Sequence, residues 1–376
     1  MKRILFLLTA LLLLPLPARA ATLTLSAESA LLMEKTTGEI LYAQNEREQL
    51  PPASVTKVMT LLLVMEAIDR GELALSDTVT ASAYACSMGG SQVYLKEGEQ
   101  MSVEDLLKAV CVASGNDASV ALGEHIAGSA DAFVERMNER AKELSMSDTH
   151  FVNCTGLPAE GHLTSARDIA IMSRELILNH PSIRNYTTIW MDSLRGGAFG
   201  LSNTNKLIRF YEGATGLKTG STDAAKYCIS ATAERDGMEL IAVVLKGPTS
   251  QQRFDDAKVL LNYGFAAYAL QTVTPEVPLP TLPVTLGACS EVSIEPPSRS
   301  VLLKKSDLPN LRQELSLPES VSAPVEQGEQ LGTLSLYAGD TLLTEIPLTA
   351  AEGVELLTWK TMLTRLWRFG LYAPLS

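Results

Sequence analysis

Three short constellations in this sequence hold residue types able to perform acyl transfer: Ser54-Val55-Thr56-Lys57, Ser114-Gly115-Asn116 and Lys218-Thr219-Gly220. A serine hydroxyl is a poor nucleophile until a neighbouring base takes its proton. Ser54 and Lys57 lie three residues apart on a predicted helix, so their side chains share one face. Lysine acts as that base only if burial or a nearby positive charge depresses its pKa. Lys218 is the candidate source of that charge. The helix start also offers free N–H groups and a positive dipole end, making the Ser54 N–H a natural half of an oxyanion hole. Gly220, on a predicted edge strand, is expected to let a substrate backbone approach closely and pair as an added strand. Singly, each trio has a plain reading: an N-cap after Pro51-Pro52, a turn before a helix, a strand entering a turn. Roughly one Ser-x-x-Lys is expected by chance at this length. Together, in this order, the three point to a serine site with two lysines.

The elements that must position these residues follow from hydrophobic periodicity. Residues 30–44 read as a hairpin around Lys35-Thr36-Thr37-Gly38, and a long helix runs from about Ser54 to a stop at Gly71. Helical spacing recurs at 102–113, 117–127, 130–144 and 165–179. Strands return at Tyr227–Ala233 and Leu240–Leu245, joined by Arg235-Asp236-Gly237, and a last helix spans Arg253 to about Leu261, with its stop near Gly264. Strands at both ends of a helical middle predict an α+β domain with an antiparallel sheet. Composition shifts at Val273, where four prolines in ten residues suggest a stiff linker. Short alternating segments then suggest a small all-β module, with a hairpin around Ala338-Gly339-Asp340.

The 376 residues carry a net charge of −12, which argues against nucleic acid as a partner. Both ends depart from that average. Lys2-Arg3, the apolar run Ile4–Leu14 and Ala18-Arg19-Ala20 describe a secretory signal peptide, residues 1–20. At the other end, Leu356, Trp359, Met362, Leu363, Leu366 and Trp367 fall on one helical face, opposite Lys360, Thr361, Thr364, Arg365 and Arg368. That pattern suits a helix lying in a membrane interface rather than one crossing it. Cys86, Cys111, Cys154, Cys228 and Cys289 are widely spaced and odd in number, consistent with buried free thiols. The implied layout is a leader at 1–20, a catalytic domain at 21–272, linker and β module at 273–350, and an anchoring helix at 351–376.

The three motifs resemble those of penicillin-binding proteins and class A β-lactamases. The wider chain closely resembles the low-molecular-mass penicillin-binding proteins that are serine D-alanyl-D-alanine carboxypeptidases. That resemblance extends through Thr149-His150-Phe151, Gly156-Leu157, Ser165-Ala166-Arg167-Asp168 and Gly216–Gly220, and includes the C-terminal β domain and final helix. It implies a penicillin-binding/β-lactamase-like transpeptidase fold, no cofactor and no metal. It implies that Ser54 is acylated by the penultimate D-alanine of a peptidoglycan stem peptide, with Lys57 as base and Ser114 as proton relay. Asn116 would bind the substrate amide, and Lys218, Thr219 and Arg253 its terminal carboxylate. The Ser221 N–H would complete the oxyanion hole; family members often carry His or another polar residue there. β-Lactams would acylate the same serine, and the enzyme would work at the extracytoplasmic face of the bacterial cell membrane.

Three alternatives remain open at this level. A secreted serine β-lactamase would need a deacylating glutamate, and Glu175-Leu176-Ile177-Leu178-Asn179 imitates that pattern, but Glu175 falls on the polar face of a helix. A zinc peptidase would need clustered ligands, yet His125, His150, His162 and His180 lack ligand spacing. A non-catalytic wall protein is disfavoured by intact Ser54, Lys57, Lys218 and Thr219.

Overall fold

The computed structural model describes residues 23–297, 299–360, 362–364 and 367. The expected leader and much of the expected terminal helix face, including Thr361, Arg365, Leu366 and Arg368, lie outside them. Strands β1 (Ser29–Glu34) and β2 (Ile40–Gln44) form the predicted hairpin, whose turn closes as the Glu34 carboxylate accepts the Thr36 and Thr37 N–H groups. The long helices of the middle segment are α1 (Lys57–Asp69), α2 (Val103–Ala113), α3 (Asn116–Ala127), α4 (Ala130–Glu143) and α5 (Ala166–Asn179). After a small hairpin, β3 (Met191–Leu194) and β4 (Phe199–Ser202), the chain returns to the sheet through β5 (Ala214–Thr222), β6 (Lys226–Arg235) and β7 (Met238–Gly247). Asp236 and Gly237 both adopt positive φ, as the tight turn between β6 and β7 demands.

The main sheet is antiparallel, in the order β2-β1-β7-β6-β5, which leaves β5 at an edge. Strands β1 and β7 are covered on both faces. Leu31, Met33, Ile241, Val243 and Leu245 join the helical core, while Leu32, Leu240, Ala242 and Val244 pack with α6 (Ser250–Ala267). Double burial explains why β7 reads as an unbroken apolar run rather than an alternation. Helix α1 is buried around nearly its whole circumference, which makes it the axis of the helical layer.

Helix α6 is longer than its periodicity predicts. It starts at the Thr249 cap, whose hydroxyl accepts the Gln252 N–H, and it continues past Gly264. Gly264 is no stop signal here: a Cβ at that position would fall 2.5 Å from Leu240 and 2.9 Å from Leu32, so the glycine brings helix against sheet. Strand β8 (Tyr268–Val273) follows directly and pairs with β9 (Arg299–Lys304), so the proline-rich stretch lies inside the second module. The predicted hairpin there is β11 (Gln330–Ala338) and β12 (Thr341–Ala350), preceded by β10 (Leu311–Ser316), over a separate apolar core. No helix among the described residues is long and apolar enough to cross a membrane.

Candidate active site

Ser54 lies in a 3₁₀ turn, Ala53–Thr56, and α1 begins only at Lys57. The periodicity expected the helix to include Ser54. The difference originates at Ala53, whose φ of 48° is a left-handed conformation uncommon for a residue with a side chain. Two glycines press on this turn. Gly156 has φ of 81°, and a Cβ there would fall 1.8 Å from the Ala53 carbonyl oxygen. A Cβ on Gly220 would fall 2.8 Å from the Ser54 nitrogen and 2.9 Å from the Pro52 oxygen. The space left by the missing Gly220 side chain is occupied by the nucleophile turn, a reason for glycine beyond the close substrate approach expected from the sequence. His162 braces the same turn. Its Nδ1 accepts the Val152 N–H at 2.9 Å, so Nε2 carries the proton and donates to Thr56 Oγ1 at 2.8 Å. Burial, reinforced by His150, pulls its pKa down to about 4, so the imidazole is neutral.

Lys57 is completely buried at the bottom of the cleft. Its Nζ lies 2.6 Å from Asn116 Oδ1, 2.6 Å from the Thr155 carbonyl and 3.1 Å from Ser54 Oγ. Burial first, and then the positive charge of Lys218, holds its pKa well below the ordinary lysine range. The two short contacts go to atoms that can only accept, so they take up two of the amine's N–H bonds, and its remaining position faces the Ser54 hydroxyl.

Lys218, on β5, is also buried, and its Nζ donates to Ser114 Oγ and to the Thr219 carbonyl, each at 2.9 Å. Burial pulls its pKa down to about 7, and Arg253 adds a smaller push in the same direction. Ser114 ends α2 in a left-handed conformation, φ 62°, which turns the chain into the start of α3 and Asn116. The Asn116 amide donates to the Gly89 carbonyl, tying the wall opposite β5 to the 89–95 loop. Thr219 Oγ1 donates to Thr204 Oγ1 at 2.7 Å. Ser221 is exposed at the open end of β5. Arg253 is largely buried behind the strand: Nη1 donates to the Gly220 carbonyl at 3.0 Å, and Nε has no partner. In this arrangement Arg253 braces the strand that carries Lys218 and Thr219.

Several groups of the site carry no sequence signal. Thr155 contributes a backbone carbonyl, Thr204 lies in a loop after β4, and His162 stands in an irregular segment; periodicity marks none of them. Cys111 and Cys154 lie beside the lysines as fully buried thiols whose pKa is pushed up to about 12, so neither supplies an anion. Glu175 accepts from Arg140 at 2.6 Å and from Asn179 at 2.9 Å, and touches no group of the cleft. Among the described residues, no group of His, Cys, Asp or Glu could hold a metal ion. A cavity of about 870 Å³ between the β1–β2 turn and β9 contains none of the reactive groups, and chemistry places the site in the cleft instead.

A family model described as D-alanyl-D-alanine carboxypeptidase matches residues 17–249, and one described as penicillin-binding protein 5, C-terminal domain, matches residues 279–356. The D-alanyl-D-alanine carboxypeptidase DacF of Bacillus subtilis (strain 168) is 41% identical over 353 residues, covering 92% of this chain and 90% of its own. Among solved structures, penicillin binding protein 5 from Haemophilus influenzae is similar with a TM-score of 0.81 at 28% identity, over 89% of this chain and 99% of that one. Penicillin-binding protein D2 from Listeria monocytogenes, in its ampicillin-bound form, is similar with a TM-score of 0.60 at 37% identity, over 65% of this chain and 99% of that one.

The packing of the nucleophile turn makes Gly156 testable. Gly156→Ala should lower unfolding free energy by about 2–4 kcal/mol in a denaturant titration, combining backbone strain with a clash that only main-chain movement relieves. An unchanged midpoint would mean that the Ala53–Ser54 turn is not held from this side.

Proposed function

The chain belongs to the D-alanyl-D-alanine carboxypeptidase family, and from that premise we propose that it removes the terminal D-alanine from peptidoglycan stem pentapeptides through an acyl-enzyme on Ser54. The observation that carries this reading is the Lys57 amine, buried, held well below the ordinary lysine pKa and 3.1 Å from the Ser54 hydroxyl. As Ser54 Oγ bonds to the penultimate D-alanine carbonyl carbon, its proton passes to Lys57 Nζ. The carbonyl oxygen gains the electron pair and accepts hydrogen bonds from the Ser54 and Ser221 N–H groups. The C–N bond then breaks as the departing nitrogen takes a proton from Lys57, relayed through the Ser114 hydroxyl. D-Alanine leaves, and water attacks the ester with Lys57 again as base.

Lys218 and Thr219 receive the terminal carboxylate, and Asn116 receives the preceding amide. Arg253 adds positive charge from behind Gly220, where its guanidinium already lies. A β-lactam offers the same carbonyl in a strained ring, and the amine freed on ring opening remains tethered to the acyl group. It therefore stays in the way of the hydrolytic water, which makes the adduct long-lived. Incubation of the purified protein with diacetyl-Lys-D-Ala-D-Ala should release D-alanine, and Ser54→Ala should abolish release. Mass spectrometry of a penicillin adduct should locate the label on Ser54. Release that survives Ser54→Ala, or rapid penicillin turnover without peptide cleavage, would overturn the assignment.

The same reading covers the two ends of the chain. Residues 1–20 serve as an export signal, and the segment 351–376 lies in the membrane interface. Val354 packs in the core of the β module, but beyond it several described apolar side chains are displayed: Trp359 is 68% and Trp367 69% exposed, and Leu356, Met362 and Leu363 are exposed with them. An enzyme truncated after residue 353 should be active and remain soluble when mixed with vesicles that retain the full-length enzyme. Equal retention of both would place the anchor elsewhere.

A further inference from the structure

Tyr94 has no part in the chemistry described above, yet the protein holds it in an unusual way. Its side chain is 67% exposed and its φ is 57°, a left-handed conformation that is costly for a bulky residue. The backbone around it is fixed from two sides. The buried Asp117 carboxylate accepts the Val93 and Leu95 N–H groups at 3.0–3.1 Å, while Arg195 donates to the Val93 carbonyl at 3.0 Å and the Tyr94 carbonyl at 3.3 Å. Arg195 is itself paired with Glu99 at 2.6 Å. The Tyr94 ring meets Phe199 of β4 edge-to-face, with centroids 6.1 Å apart, and the Arg195 guanidinium lies over the Phe199 ring at 5.5 Å. Strain at an exposed aromatic, maintained by this many hydrogen bonds, is characteristic of a recognition surface rather than of packing.

Connectivity limits how far the aromatic pair can lie from the two walls of the cleft. Tyr94 is three residues from Ser91, whose carbonyl accepts the Asn116 N–H at 2.7 Å. Phe199 is five residues from Thr204, which accepts the Thr219 hydroxyl. At about 3.3–3.6 Å per residue, the pair lies within roughly 10 Å of one wall and 18 Å of the other. Resting on the carboxypeptidase reading, an extended stem peptide has four residues between the scissile amide and its amino-sugar attachment, about 13–14 Å. Those limits allow the sugar, at that distance from the scissile amide, to meet the aromatic pair. An aromatic face carries negative charge density and suits the weakly positive C–H face of a sugar ring.

We propose that Tyr94, supported by Phe199 and Arg195, is a platform for the amino-sugar to which the stem peptide is joined, so that the enzyme discriminates glycan-linked substrate from free peptide. The test compares three substrates for the unaltered enzyme, Tyr94→Ala and Tyr94→Phe: diacetyl-Lys-D-Ala-D-Ala, a free pentapeptide, and a disaccharide-pentapeptide. Tyr94→Ala should lower kcat/KM for the disaccharide-pentapeptide about tenfold, equivalent to about 1.4 kcal/mol. The loss should appear in KM, leave the two peptides within about twofold, and be restored by Tyr94→Phe, which keeps the ring. Equal losses on all three substrates would make Tyr94 a structural residue. A loss already present with the free pentapeptide would assign the ring to the peptide, and no loss on any substrate would remove the platform. Failure of the unaltered enzyme to release D-alanine from any of them would overturn the carboxypeptidase reading itself, and the platform with it.

Discussion

The site depends on one constraint: a lysine amine buried without a carboxylate partner. Removing an ammonium group from water costs several kcal/mol unless it is paired, and the cheaper outcome is loss of its proton. Among the described residues, no carboxylate is hydrogen-bonded to Lys57: Cys111 and Cys154 are held as thiols, and the Asp117 charge, which accepts the Val93 and Leu95 N–H groups, opposes burial and Lys218 only weakly. Lys218 adds a like charge nearby. What remains polar on Lys57 must still be satisfied, and its two N–H bonds reach α3 through Asn116 and the 153–157 loop through Thr155. The contacts that satisfy the buried amine thus join three segments of chain. The fold carries this arrangement as a stability deficit. For Lys218, with a folded pKa of about 7 against about 10.4 in the unfolded chain, the deficit is full below neutral pH and shrinks as pH rises between those values.

Around that constraint, the nucleophile turn is positioned by close backbone approach rather than by side-chain contacts. Gly156 on one flank and Gly220 on the other let two separate segments touch the Ala53–Ser54 backbone directly. Arg253 then stiffens the strand behind Gly220, and His162 holds Thr56. This accounts for a small residue in Lys218-Thr219-Gly220 whose reason lies inside the protein.

Much of the scaffold was legible in the sequence because it is periodic. The β1–β2 hairpin, helices α1 to α5 and the Asp236-Gly237 turn each have a local pattern that tertiary contacts did not override. Ser54 and Lys57 were legible as a pair for the same reason, being three residues apart. The misreadings came where a local signal had a non-local cause. Gly264 looked like a helix stop but is a contact with Leu32 and Leu240; the helix boundary at Ser54 was displaced by the Ala53 conformation. Thr155 and Thr204 act from irregular segments that the fold brings in from a distance, one of them through a backbone atom that any residue could supply. No pattern of residue types could have marked it.

The central claim is that burial and Lys218 hold the Lys57 amine well below the ordinary lysine range, and it can be read directly. In protein labelled with ¹³C at the lysine Cε positions, the Lys57 resonance should titrate well below about 10.4, the ordinary lysine value. In Lys218→Met the titration should move upward, but remain below that value because burial persists. A Lys57 resonance that stays protonated up to about 10 in the unaltered enzyme, or one that does not respond to Lys218→Met, would contradict the account.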